Sequence, residues 1–210
     1  MMCALRPTPK WPRTPGLFDA VAAPQIVLGR HVRLSRQWRQ RVNDAVTEGM
    51  ILDRLREQDV PPRAQRALID KLDECGTDMC VPIVKRFLSA ANNRTSASAL
   101  GALRNLRSDL ATQAIIDGLP TMNRVVLPQA TFLLWRRQVL DAVPALVSLL
   151  SDRYDELDPG SKWALMWALG NMPDWRSVPV LTRGCSDDDR ATRKVALREL
   201  ERIRHAQHTS

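Results

Sequence analysis

The chain has 210 residues and a basic balance, with 31 Lys and Arg against 23 Asp and Glu and a formal charge of +8. No apolar stretch reaches the roughly 18 residues of a membrane span. Pro7, Lys10 and Arg13 interrupt any apolar core of a secretory signal. The composition therefore predicts a soluble, cytoplasmic protein of one domain or two small ones.

The N-terminal quarter is predicted to stand apart from the rest. Residues 1–28 are rich in proline and predict a poorly structured arm. Residues 29–60 predict a helical cap on the C-terminal three quarters of the chain, with one helix beginning after Gly29 and a second over 46–58. In the first of these helices, Trp38 and Val42 recur at helical spacing among basic residues.

Positive charge is concentrated in this N-terminal region. Residues 1–43 contain eight Lys or Arg and a single acidic residue, Asp19, whereas residues 61–210 contain 21 basic and 17 acidic residues. The arginines predicted to form a basic helical surface are Arg30, Arg33, Arg36, Arg39 and Arg41. Such a surface suits phosphates or an acidic protein, although an overall preference for Arg over Lys would give the same excess.

Residues 61–210 repeat at intervals of 31 to 34 residues. An alanine recurs in the first helix of each unit, at Ala67, Ala99, Ala130, Ala164 and Ala196. An aspartate opens each second helix, at Asp78, Asp109, Asp141 and Asp174, where it is predicted to cap the helix. Fixed periods of this length are typical of stacked helix pairs. The sequence therefore predicts an all-α, right-handed α-solenoid of about five helical pairs with an N-terminal helical extension.

Helix boundaries are predicted from prolines, glycines and the apolar pattern. The predicted first and second helices of the units cover residues 63–74 and 78–90, 96–106 and 109–119, 125–137 and 141–150, 159–171 and 174–185, with a closing helix over 190–205.

The last unit carries the clearest pattern. Ala168–Leu169–Gly170 is followed by Val178–Pro179–Val180–Leu181, an acidic loop with Asp187, then Arg193 and Ala196–Leu197. This order resembles the HEAT-like repeats of phycobilisome lyases, over about residues 62–205. The resemblance implies a HEAT-like fold. It implies little about function, because such repeats occur in lyases, adaptors, regulators and nucleic-acid enzymes.

No pattern of metal or cofactor ligands is present in the sequence. Cys3, Cys75, Cys80 and Cys185 form no CxxC pair, and there are only three histidines. A nucleophile with its base, a Gly-rich phosphate loop and paired carboxylates are also missing from the pattern. The sequence therefore predicts no metal, no cofactor and no catalytic residue.

The function predicted first is that of a non-enzymatic protein-interaction module that holds an acidic protein partner on the concave face of the solenoid. In HEAT-type solenoids the second helices line that face. The basic residues predicted to bind there are Lys85, Arg86 and Arg183.

Two alternatives stay open at this point. A nucleic-acid binder would use the N-terminal arginines together with a ladder of loop arginines, each preceded by Asn or Asp: Arg94, Arg124, Arg153 and Arg190. A glycosylase-like or lyase-like enzyme would place Asp141 or Asp174 among the tryptophans of the C-terminal half, Trp135, Trp163, Trp167 and Trp175.

Overall fold

The structure is a computed structural model that describes residues 36–57 and 59–208, with side chains described for 44–57 and 59–205. Every regular element in this part of the chain is helical. The α-helices, in chain order, are α1 Arg36–Arg56, α2 Pro62–Cys75, α3 Val81–Lys85, α4 Asn93–Leu106, α5 Asp109–Gly118, α6 Val126–Arg136, α7 Val143–Asp152, α8 Pro159–Asn171, α9 Val178–Gly184 and α10 Arg190–His208.

The helices stack as four pairs, α2–α3, α4–α5, α6–α7 and α8–α9, between α1 and α10. First helices pack on first helices, from α2 through α4, α6 and α8 to α10, and second helices form a parallel layer. The main contacts connect neighbouring units, which is the arrangement of a repeat solenoid. The predicted all-α solenoid is confirmed, with boundaries within a few residues for most helices.

The N-terminal extension differs from its prediction. Residues 36–56 form one continuous helix, α1, in place of a helix break near Val46. No proline lies in this segment to end a helix. Glu48 on α1 is buried and accepts hydrogen bonds from the Thr77 backbone N–H (2.8 Å) and hydroxyl, so α1 is joined to the turn between α2 and α3. The 1–28 arm lies outside the described residues.

Second helices open in two ways. Those with proline in the first turn, at Pro82, Pro144 and Pro179, are each preceded by a 3-10 turn. Helix α5 has no such proline and starts directly as an α-helix. Because of the 3-10 turns, the α-helical parts of these second helices begin at Val81, Val143 and Val178 rather than at the predicted positions 78, 141 and 174.

Three of the four aspartates predicted as caps do not cap. The Thr77 hydroxyl accepts from the Met79 N–H, and the Ser108 hydroxyl accepts from the Ala111 N–H, so Asp78 and Asp109 lie inside the first turn. Asp141 also lies in a first turn without a cap bond. Only Asp174 accepts from the backbone, at the Arg176 N–H (2.9 Å). In the first turn, a carboxylate still faces the positive end of the helix dipole.

The recurring alanines mark the layer where first helices meet. Ala99, Ala130 and Ala196 are fully buried and Ala164 is nearly so. Ala67 is exposed, contrary to the predicted pattern, and Ile69 and Leu72 fill the core of the first unit. Close approach also depends on Gly170, where an added Cβ would lie 2.2 Å from the Glu199 Cβ on α10.

Polar contacts between units repeat with the period of the chain. Lys85 pairs with Asp117 at 2.6 Å, and Asn105 donates to Asp73 at 2.8 Å. Both contacts join residues 32 positions apart. In the last unit, Tyr154 and Lys162 both donate to Asp187, at 2.7 and 2.8 Å. These bonds fix each unit relative to the next.

Candidate binding site

A cavity of about 730 Å³ opens where the second and third units meet. Its lining comes from the C-terminal ends of α4 and α6, from α5 and from the turn before α7. Its charged lining consists of Arg104, Arg107, Arg136, Arg137, Asp109 and Asp141. We call this the arginine cavity.

Four guanidinium groups and two carboxylates line this cavity. Within the described part of the chain, Arg104, Arg107 and Arg136 are exposed and form no ion pair. The cavity therefore carries uncompensated positive charge, which favours an anionic ligand. Arginine presents planar, bidentate donors that match carboxylate and phosphate geometry.

Arg137 is the structural member of the group. Its guanidinium donates to the Thr112 hydroxyl at 3.3 Å and to the Arg104 backbone carbonyl, which joins the third unit to the second. Burial lowers the pKa of the Arg137 guanidinium, and the positive charges of Arg107 and Arg104 lower this pKa further. Arginine nevertheless stays protonated in proteins. The lowered pKa thus reflects burial first and the neighbouring positive charges second, and a bound anion would offset both.

The backbone at the cavity rim adopts an uncommon conformation. Arg107, after α4, has φ 53°, and Gln138, after α6, has φ 53°. Residues other than glycine are uncommon in this left-handed region. The two residues end the first helices of consecutive units, and both turns border the arginine cavity.

An apolar groove of about 470 Å³ adjoins the arginine cavity. It lies between α6 and α8 and is lined by Phe132, Trp163 and Trp167. We call it the aromatic groove. The Phe132 and Trp163 side chains are 48% and 42% exposed, so part of each ring faces solvent.

The rings of the groove form one stacked group. The Trp163 and Trp167 centroids lie 6.0 Å apart with planes 8° from parallel, and Phe132 stacks on Trp167 at 5.9 Å. Trp135 meets Trp167 edge-on at 4.4 Å. Trp135 and Trp167 pack against the core, so they hold the outer two rings in place. Such contacts favour a rigid apolar surface.

The cavity and the groove are continuous. Arg104, Leu133 and Arg136 line both of them. On α6, Phe132 and Arg136 are one helical turn apart, so the aromatic and basic groups lie on the same face of the helix. The first-helix layer and the turns thus present a basic end and an apolar end side by side.

Two of the three basic residues predicted to bind on the second-helix layer form ion pairs, unlike the exposed arginines of the cavity. Lys85 pairs with Asp117, and Arg183 pairs with Asp155 at 2.9 Å while its guanidinium lies 4.1 Å from the Tyr154 ring centroid. The hydrogen bond from Lys85 leads the causes that lower the pKa of Asp117. Arg86 is exposed and has no such partner among the described residues. A role of these three residues in binding stays a prediction.

The predicted ladder of loop arginines is uneven. Arg153 donates to Glu156 at 2.8 Å and to the Pro120 carbonyl, so it joins two units. Arg94, Arg124 and Arg190 are exposed. Of the N-terminal arginines, Arg30 and Arg33 lie outside the described residues, and Arg36, Arg39 and Arg41 lie in α1, in the part without described side chains. Both sets stay predictions.

The enzyme hypothesis placed Asp141 or Asp174 among tryptophans. Asp141 lines the arginine cavity, whereas Trp163 and Trp167 line the adjoining groove, so Asp141 and these tryptophans do not line the same space. Asp174 is held by its own loop, where Arg176 pairs with it at 2.5 Å. The hydrogen bond from this guanidinium is the first cause that lowers the pKa of Asp174. The structure therefore brings Asp141, and not Asp174, to the cavity.

Thiols and metal ligands give no second site in the described part of the chain. Cys75, Cys80 and Cys185 are free, and burial raises the pKa of each thiol, to about 12 for Cys80. No group of three metal-ligating side chains is present among the described residues. No helix in this part is long and apolar enough to cross a bilayer.

Sequence reasoning missed the members of the arginine cavity. Arg104, Arg107, Arg136 and Arg137 are separated along the sequence, and only the stacking of units brings them together. One signal was available: Arg104 and Arg107 precede Asp109 as Arg136 and Arg137 precede Asp141, so basic residues end two consecutive first helices.

Comparisons with known proteins bear on the fold. No family model matches the sequence, and no curated protein is significantly similar to it. Among solved structures, the chain is similar to human deoxyhypusine hydroxylase in complex with glycerol, at 15% identity over 90% of this chain and 84% of that chain, with a TM-score of 0.45. It is also similar to a structure of lipid–protein interactions in lipovitellin, at 13% identity over 93% of this chain and 24% of that chain, with a TM-score of 0.54.

The chain is a HEAT-like α-solenoid. The narrower resemblance to phycobilisome-lyase repeats has no support from a family match. The expectation of a non-enzymatic protein is corrected, because a hydroxylase is among the solved structures that match the chain. At this identity the likeness concerns the fold alone, and it assigns no activity.

Proposed function

We propose that the chain is a repeat scaffold that binds an acidic segment of a partner protein in the arginine cavity. The observation that carries the proposal is the convergence of Arg104, Arg107 and Arg136, exposed and unpaired, on one cavity between two units. Interfaces between proteins are enriched in arginine and aromatic residues. Both types are present here on one continuous surface.

The charge pattern favours a polypeptide over a long nucleic acid. Asp109 and Asp141 line the same cavity as the arginines, so a continuous phosphate backbone would meet repulsion there. A peptide presents separated carboxylates that fit between such groups. The pairing of Lys85 and Arg183 with carboxylates further limits any extended basic track on the second-helix layer.

The test measures binding of a fluorescein-labelled, glutamate-rich peptide by anisotropy at two salt concentrations. We expect the double change Arg104→Gln and Arg136→Gln to weaken binding about tenfold at low salt, because two charge-assisted contacts are lost. The matched control is the double change Arg63→Gln and Arg204→Gln, because both arginines are exposed, form no ion pair within the described part of the chain and do not line the cavity. Equal losses in both variants would show that general charge, and not the cavity, attracts the peptide.

Nucleic acid is the second candidate, favoured by the exposed rings of Phe132 and Trp163 beside Arg104 and Arg136. Aromatic rings next to basic groups can stack unpaired bases. A labelled single-stranded oligonucleotide in the same assay separates the candidates. Tighter binding of the oligonucleotide than of the peptide at the higher salt concentration would replace the acidic-protein proposal.

A further inference from the structure

We propose that the acidic segment also carries an apolar anchor, an aromatic or large aliphatic side chain that enters the aromatic groove while its carboxylates occupy the arginine cavity. This inference rests on the proposed function and specifies the partner. It predicts a two-part sequence in the ligand, which a cavity for acidic groups alone would not require.

The first support is the shared lining of the two spaces. Arg104 and Arg136 border the aromatic groove as well as the arginine cavity. A ligand carboxylate held by these guanidiniums is therefore at the mouth of the groove. The chain that carries this carboxylate must pass over Leu133, which lines both spaces, and its neighbouring side chain meets the aromatic rings.

The second support is the exposure and order of the groove. Phe132 and Trp163 are 48% and 42% exposed, although their inner faces join a packed aromatic group. An apolar side chain laid against the exposed parts of these two rings would remove ring surface from water without reordering the rings, because Trp167 stacks on both. Preorganised aromatic pockets of this kind hold the anchors that contribute most to binding.

The third support is charge. Among the described residues, the lining of the groove includes no carboxylate, and its charged groups are Arg104 and Arg136. A basic ligand segment would be repelled, and a neutral apolar segment would leave both guanidiniums without a partner. An apolar anchor next to acidic residues would cover the exposed rings and pair the guanidinium groups with carboxylates at the same time.

Helix geometry sets the spacing between the two parts of the ligand. Phe132 and Arg136 are four positions apart on α6, which is about 6 Å along a helix axis. An extended peptide advances about 3.3 Å per residue. The anchor is therefore expected about two residues from the first acidic residue.

The experiment compares three labelled peptides on the full chain by anisotropy. One has a tryptophan about two residues from a glutamate run, one has glycine in place of the tryptophan, and one has the tryptophan with glutamines in place of the glutamates. We expect the first to bind about tenfold more tightly than the second, as for other buried aromatic anchors. The third peptide should bind more weakly than either.

Variants locate the effect. Trp163→Ala should remove the advantage of the tryptophan peptide over the glycine peptide. Trp175→Ala is the matched control, since this tryptophan is 71% exposed and lies outside the groove. Thermal melting of both variants verifies that they fold.

Each failure has a distinct meaning. Equal affinities of the tryptophan and glycine peptides for the unaltered chain would overturn the anchor and leave the acidic-segment proposal standing. Loss of the tryptophan advantage in Trp175→Ala, with Trp163→Ala unaffected, would also overturn it by placing the anchor elsewhere. No binding of either glutamate peptide at low salt would overturn the proposed function and the anchor with it.

Discussion

At the scale of single residues, the left-handed turns after the first helices are a measurable source of strain. Gln138 occupies a conformation that costs L-residues about 1–2 kcal/mol and costs glycine little. Its side-chain amide donates to the Trp135 carbonyl, so any truncation also removes that bond. The strain is therefore measured best by comparing two truncated side chains that both lack this hydrogen bond.

We expect Gln138→Gly to be more stable than Gln138→Ala by about 1 kcal/mol, because only glycine relieves the left-handed backbone. Urea denaturation followed by circular dichroism measures the difference. Equal stability of the two variants would mean that the turn relaxes without cost, and that the positive φ at Gln138 stores no strain.

A second residue-scale feature is the contrast between two helical glycines. An alanine Cβ at Gly170 would collide with Glu199, whereas at Gly101 the nearest atom, an Asp73 carboxylate oxygen, is 3.8 Å away. We expect Gly170→Ala to lower the free energy of unfolding by about 1–3 kcal/mol through overpacking. Gly101→Ala should raise it by about 0.5–1 kcal/mol, since alanine restricts the unfolded chain.

Chemical denaturation of the two alanine variants against the unaltered chain tests this contrast. Stabilisation by both substitutions would contradict the close approach of α8 and α10 at Gly170. Destabilisation by both substitutions would instead indicate that the space beside Gly101 is too small for a methyl group.

At the scale of elements, the contact between α8 and the loop before α10 depends on a buried polar group. Asp187 is almost buried and accepts from Tyr154 and Lys162, and the Lys162 ammonium lies 4.3 Å from the Tyr154 ring centroid. Burial by itself raises the pKa of Asp187, but the hydrogen bonds from Lys162 and Tyr154 outweigh burial, so this pKa is lowered from its ordinary 3.8. Burial and the hydrogen bond to Asp187 raise the pKa of Tyr154.

The lowered pKa predicts a direction for the pH dependence. The pKa of Asp187 is lower in the folded state than its unfolded value of 3.8. The ionised carboxylate therefore stabilises the folded state above pH 3.8. This stabilisation is lost as the pH falls through the folded pKa. We expect Asp187→Asn to cost about 3 kcal/mol at pH 7, since it leaves a buried ammonium unpaired. The difference from the unaltered chain should shrink below about pH 4.

Thermal melts at a series of pH values measure this difference. Asp155→Asn is the matched control, because Asp155 pairs with Arg183 at the exposed surface and should change stability by less than about 1 kcal/mol. A loss from Asp187→Asn that is equally large at pH 3 and pH 7 would show that the network does not depend on the charge of Asp187.

The helices were largely predictable from the sequence, and the site was not. Prolines, capping residues and the spacing of apolar residues are local signals, so α8 was predicted at Pro159–Asn171 as observed. The arginine cavity depends on Arg104 meeting Arg137 across a unit boundary, which no local pattern encodes. The pairing of Lys85 with Asp117 is likewise a contact between units, so the sequence could not show that this charge is offset.

At the scale of the whole molecule, stability should vary along the chain. The main contacts join neighbouring units only, so the loss of one unit removes support from its neighbours first. Leu72, on α2, and Leu200, on α10, are buried near opposite ends of the solenoid. They allow the two ends to be weakened separately.

We expect Leu72→Ala, which costs about 2–5 kcal/mol locally, to lower amide protection in α2 and α4 while α8 and α10 stay protected. Leu200→Ala should give the opposite pattern. Hydrogen exchange with mass spectrometry resolves the two ends. A uniform loss of protection along the chain in both variants would show that the solenoid unfolds as a single cooperative block.

The bond from Arg137 to the Arg104 carbonyl has a mechanical consequence. It crosses the boundary between the second and third units at the wall of the arginine cavity, so the width of that cavity changes when the two units tilt. A ligand bridging the boundary would act as a brace and raise the bending stiffness of the solenoid at this joint. Conversely, a force that straightens or bends the solenoid would change the width of the cavity and the affinity for its ligand.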